Sequence, residues 1–128
     1  MSLATKTART LVASTANGAG STTRGRLDLT TAFGGTLTLK ITNGATGPTA
    51  QAVANVLIAH NATTPAAGSA GVDWKTIFSA GNGTTANAVG EWSLDIPVGV
   101  MQLEVEFTGN TAQAVTVEAY FSELTSVS

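Results

Sequence analysis

The sequence predicts an all-β chain, an antiparallel β-sandwich of about eight strands with jelly-roll character, and three observations carry that expectation. The first is the stretch from Glu91 to Phe107. There Trp92, Leu94 and Ile96 alternate with Glu91, Ser93 and Asp95, and Met101, Leu103, Val105 and Phe107 alternate with Gln102, Glu104, Glu106 and Thr108. Only a strand puts every second side chain on one face, so this stretch reads as two half-buried strands hinged at Pro97-Val98-Gly99. The second observation is punctuation. Asn17-Gly18, Gly34-Gly35, Asn43-Gly44, Gly81-Asn82-Gly83 and Gly109-Asn110 fall between apolar runs and suit tight turns. Third, no segment carries a convincing apolar stripe at helical spacing.

Residues 1–23 are rich in Thr, Ala, Ser and Gly, with one extended candidate at Thr7 to Ser14; they read as an N-terminal arm or edge segment that gains order from a neighbour. A single sandwich domain then spans 24–128. Within it, Arg24 to Thr30 alternates Leu27 and Leu29 with polar side chains, and Thr36 to Thr42 alternates without a break. Thr49 to His60 is ambiguous: its alanines and the spacing of Val53, Val56 and Leu57 permit a helix of about three turns, whereas the Val-Leu-Ile cluster between Pro48 and Pro65 favours a buried strand. A strand is the expectation there. Asn61 to Val72 reads as loop, and Asp73 to Ala80 as a strand with Trp74, Thr76 and Phe78 on one parity. Ala114 to Glu123 is the last strand, with Val115, Val117, Ala119 and Phe121 facing inward. The long connections at 42–53 and 61–72 are where such a sandwich is expected to cross from one sheet to the other.

A chain of 128 residues is most simply one domain, and it buries roughly two thirds of its unfolded surface on folding. It contains no cysteine, so disulfides and thiolate metal sites are excluded. The first residues lack a signal-peptide core, and no stretch nears the roughly 20 apolar residues needed to span a membrane. The expectation is a protein made and kept on the cytoplasmic side or released by lysis. Charged residues make up only 11% of the chain, against about 25% in ordinary soluble domains. So sparse a charge points to a surface covered in a larger assembly; a secreted β-domain with a Thr/Ser surface is the alternative. The charge is also unevenly placed. Lys6, Arg9, Arg24 and Arg26 precede the first acid, Asp28, while six acids and no cation follow from Glu91 onward. Two readings stay open: contact between copies or with an acidic neighbour, or pairing of the two segments within one subunit.

Catalytic groups are scarce. His60 is the sole histidine, so one chain offers no multi-histidine metal site, and its place at a strand end fits a hydrogen-bonded structural role. No GxSxG elbow, SxxK motif, phosphate loop or EF-hand spacing is present. Glu104 and Glu106 share one strand face about 6.5–7 Å apart, a separation that every i, i+2 strand pair has, and they read as a solvated or subunit-facing surface. Trp74 and Trp92 are the candidates for a sugar-stacking platform, but both share parity with core residues and are expected to be buried. The expectation is therefore not an enzyme, with no metal, no cofactor, no nucleic-acid partner and no membrane partner. Asn61-Ala62-Thr63 and Asn82-Gly83-Thr84 match glycosylation sequons, which matter only in a secretory pathway.

The stretches GPTAQAVANVLIAH (47–60), DWKTIFSAG (73–81) and PVGVMQLEVEFTGNTAQAVTVEAYF (97–121), with the small-residue N-terminal segment, resemble small virion proteins of tailed bacteriophages, above all capsid decoration (cement) proteins. That resemblance implies a structural role on the virion surface. The protein would clamp major capsid subunits together, acting as a homodimer or homotrimer. On this reading Lys6, Arg9, Arg24 and Arg26 are the expected contacts with an acidic partner surface, and Glu104, Glu106 and Glu118 form the complementary face. A tail, baseplate or head-fibre component, or a carbohydrate-binding sandwich, are the alternatives.

Overall fold

The computed structural model describes residues 3–67 and 73–127, and among them every regular element is a strand. The strands are β1 (Ala4–Asn17), β2 (Thr23–Asp28), β3 (Gly35–Asn43), β4 (Val53–Ala59), β5 (Lys75–Gly81), β6 (Val89–Ile96), β7 (Gln102–Thr108) and β8 (Val115–Val127). They form two antiparallel four-stranded sheets, ordered β1-β8-β3-β6 and β2-β7-β4-β5. This is the strand order of a jelly roll, in which the chain crosses between the sheets at nearly every connection. Within the ambiguous 49–60 segment Val53–Ala59 is strand, with Ala54 and Val56 filling the space between the sheets.

The core lies where the period-two pattern places it. Leu37, Leu39 and Ile41 of β3, Val115, Val117, Ala119 and Phe121 of β8, and Leu103, Val105 and Phe107 of β7 are all buried in one cluster. Trp92 and Leu94 pack against that cluster while half-buried, as expected for an edge strand. β1 belongs to the sandwich. Val12 enters the core, and the Leu11 carbonyl lies so close to Gly25 of β2 that any side chain at position 25 would overlap it, so β1 closes one side of the fold. Its C-terminal end is pinned by a buried amide network. Asn17 Nδ2 donates to Asn110 Oδ1 at 2.7 Å, and Asn110 Nδ2 donates to the carbonyls of Asn17 and Gln113 at 3.0 and 2.9 Å.

The Pro97-Val98-Gly99 hinge carries the chain from one sheet to the other, since β6 pairs with β3 and β7 pairs with β2 and β4. Three expectations are corrected. The 61–72 connection, by contrast, makes no crossing, since β4 and β5 are neighbours in one sheet. Its described part, 61–67, is a strap laid over the outside of that sheet, and 68–72 lies outside the described residues. Trp74 and Phe78 do not share a face either. A register shift between Val56 and Leu57 reverses the parity, so Trp74 is buried with Leu57 and Ala59 in a second cluster while Phe78 packs on the main core. Finally, Glu104 is not on a solvated face: with Gln102 it is buried on the outer side of β7.

Candidate functional site

Two surfaces gather most of the polar side chains singled out above. One is the outer face of the β2-β7-β4-β5 sheet, where the antiparallel register sets Arg24 opposite Glu106 and Arg26 opposite Glu104 on β2 and β7, and Asn55 opposite Glu106 on β4. The Arg24 guanidinium donates to the Glu106 carboxylate and stands 3.8 Å from Glu104 Oε1. Asn55 Nδ2 donates to Glu106 Oε1 at 3.0 Å, and Ser79 Oγ donates to Asn55 Oδ1 at 2.6 Å. Both Glu106 carboxyl oxygens are thereby matched with a donor. Glu104 is not so matched: only 1% of its side chain is exposed, and its Oε1 has no hydrogen-bond partner. Burial pushes its pKa up, and the nearby Arg24 charge opposes that shift without cancelling it.

The strap explains the burial. Thr64 Oγ1 donates to Gln102 Oε1 at 2.8 Å, Gln102 Nε2 to the Asn61 carbonyl at 3.1 Å, Arg26 to the Pro65 carbonyl at 3.0 Å, and Trp74 Nε1 to the Ala66 carbonyl at 3.2 Å. Gln102 thus holds two strap atoms and Arg26 and Trp74 one each, and the strap in turn excludes water from Glu104 and Trp74. Nothing in the alternation around Glu104 signals this cover. The readable signs were the consecutive Val56-Leu57 pair, which supplies an apolar side chain to both faces, and the small, Pro-containing run after His60.

The second surface is the outer face of β1-β8-β3-β6. Its cross-strand rows are hydroxyl-rich: Ala8, Ser122, Thr36 and Asp95 form one, and Thr10, Tyr120, Thr38 and Ser93 the next. At one end lies an open cleft of about 550 Å³ lined by Lys6, Thr36, Asp95, Ser122, Ile96 and Leu124. Lys6 enters no ion pair among the described residues, and Asp95 accepts from Thr36 Oγ1 at 3.3 Å. Farther along, Lys40 stands between Glu91 and Glu118 at 3.7 and 3.9 Å. Tyr120 donates to Glu118 at 3.0 Å, and this bond holds the phenol proton on above its ordinary range. Arg9 sits elsewhere, donating to the buried carboxylate of Glu123 at 2.8 Å.

The uneven charge along the sequence is therefore largely matched inside one subunit: Arg9 with Glu123, Arg24 with Glu104 and Glu106, Lys40 with Glu91 and Glu118. Lys6 and Arg26 stay outside these pairs. Among the described residues no three His, Asp or Glu side chains converge as a metal site, and no helix is long and apolar enough to cross a membrane. His60 is exposed at the end of β4.

No known protein family and no curated protein sequence matches the chain. Solved structures do resemble it in fold. A structure described as "CBM4 structure and function" superposes with a TM-score of 0.51 at 15% identity, covering 79% of this chain and 60% of that one. A chain from infectious bursal disease virus, Gx strain, superposes with a TM-score of 0.50 at 12% identity, covering 95% of this chain and 32% of that chain. The SPBc2 prophage-derived protein YomS matches over 94% of this chain and 95% of its own, at 18% identity and a TM-score of 0.48. The chain thus spans less than two thirds of the first two. At these identities the likeness establishes the β-sandwich fold alone.

Proposed function

We propose that the chain is a structural virion protein that decorates a phage capsid and stabilises it by bridging major capsid subunits, with a second copy of itself as a further partner and with no catalytic activity of its own. The observation that carries this reading is the surface. Eight of the fourteen charged side chains are closed into ion pairs within the subunit. What remains outside is a hydroxyl- and alanine-rich skin with Leu3, Phe33, Ile77, Val89, Val98, Tyr120 and Val127 exposed. A free monomer ordinarily stays soluble through dispersed charge, and a surface this poor in it suits a protein that spends its life against neighbours. The jelly-roll order and the fold likeness to a viral chain are compatible with that role.

A carbohydrate-binding sandwich is the competing reading, supported by the fold likeness to the CBM4 structure. It needs an aromatic ring open to a sugar face. Trp74 is fully buried and Trp92 is half-buried against the core, which weighs against it. Acrylamide quenching separates the two. The virion reading expects blue-shifted, weakly quenched tryptophan emission that added glycans leave unchanged; strong quenching that a glycan suppresses would transfer the proposal to the competing reading.

A further inference from the structure

We propose that the β1-β8-β3-β6 sheet continues from one copy of the chain into the next, the free edge of β6 in one copy pairing antiparallel with the free edge of β1 in another. This deepens the self-association part of the reading above and rests on it only there, since the contact requires no capsid.

The β6 edge is built as a template. Its eight residues pair with β3 in unbroken register, from Val89 opposite Thr42 to Ile96 opposite Gly35, and among the described residues no strand lies on its other side. Unpartnered edges are usually blunted by bulges, prolines or lysines, and β6 contains none of these. Strand direction fits as well. β1 is antiparallel to β8, β8 to β3 and β3 to β6, so a second copy set beside β6 in the same orientation presents its β1 antiparallel. In that arrangement the start of β1 meets the end of β6.

Charge then selects the partner. Glu91 and Asp95 are the only charges on β6, whereas the start of β1 carries Lys6 in a regular run that continues to Thr10. Lys6 and Asp95 line the same cleft and so point to the same side of the sheet. Because Asp95, Thr36, Ser122 and Ala8 form one cross-strand row, a shift of one residue pair sets Lys6 of the next copy opposite Asp95. Pairing β6 with a second β6 would instead oppose acid to acid. In the other sheet Arg24 on β2 is already held by Glu106, and β5 carries a register shift. The contact is heterologous, so it propagates head to tail until a ring closes or a filament grows.

Sedimentation velocity of the full chain over a wide concentration range tests this. The wild type is expected to self-associate, and Asp95→Lys and Lys6→Glu are each expected to weaken association roughly tenfold. Both positions are exposed, so both variants should keep the native circular dichroism spectrum. Mixed in one chain, the two reversals should restore association to within about threefold, because the charges then meet with signs exchanged. A protein that stays monomeric throughout, or association that neither reversal changes, or a double variant no better than the singles, would overturn the proposal. Particle binding is scored separately. Assembly as described without any binding to phage heads supports the shared sheet and removes the virion reading; a strictly monomeric protein that binds heads does the reverse.

Discussion

Glu104 lies beneath the strap with one carboxyl oxygen lacking a hydrogen-bond partner, and its proton is held above the usual carboxylate range because burial disfavours the charged form. The folded chain therefore binds this proton more tightly than the unfolded chain does. As pH rises from the unfolded pKa through the higher folded one, the unfolded state releases its proton first and stability falls. Asp28 acts in the opposite sense. The Thr30 hydroxyl and backbone N–H, donating at 2.7 and 2.9 Å, hold its pKa below the ordinary value, so its contribution is present above the unfolded pKa and is lost as pH falls through the lowered one. Thermal melts at constant ionic strength should show Tm declining from mildly acid to neutral pH. Glu104→Gln should abolish that decline and leave the loss at low pH intact. A decline that persists in the variant would mean that Glu104 is not its source.

At the level of elements, the strap and β5 show where alternation stopped being informative. The strands with one face on the core, β3, β7 and β8 above all, were legible because period two reports that burial directly, whereas β1, mostly exposed along its length, read only as an arm with a short extended stretch. It reports nothing about what covers the other face. Gln102 and Glu104 look like surface residues in the string of letters and are buried because 61–67 lies over them. Trp74 was correctly expected to be buried, yet a single register shift put it on the opposite side of the sheet from Phe78. The surface charges were legible as an asymmetry only. Which arginine met which acid depended on the β1–β8 and β2–β7 pairings, and strand order is not written in periodicity. If Trp74 holds the strap down, Trp74→Ala should cost about 3–5 kcal/mol in denaturant unfolding. It should also open 60–67 to proteolysis before the sheets themselves unfold, whereas equal protection of the strap in both proteins would contradict that role.

Over the whole molecule, the jelly roll closes ion pairs within the subunit, packs β1 against β2 around Leu11 and Gly25, and leaves unpaired sheet edges along the start of β1, at β5 and at β6. The stretch Glu91 to Phe107, which carries half of the acidic residues, supplies structure on both sheets: its acids are neutralised by Arg24 and Lys40, or sit at the β6 edge. The central claim, a capsid-bridging role, is tested most directly by cryo-electron microscopy of phage particles from a host that expresses the chain. The account predicts jelly-roll density on the outside of the head, seated over junctions between major capsid subunits. Density confined to the tail, or intact particles that carry none of the protein, would contradict it.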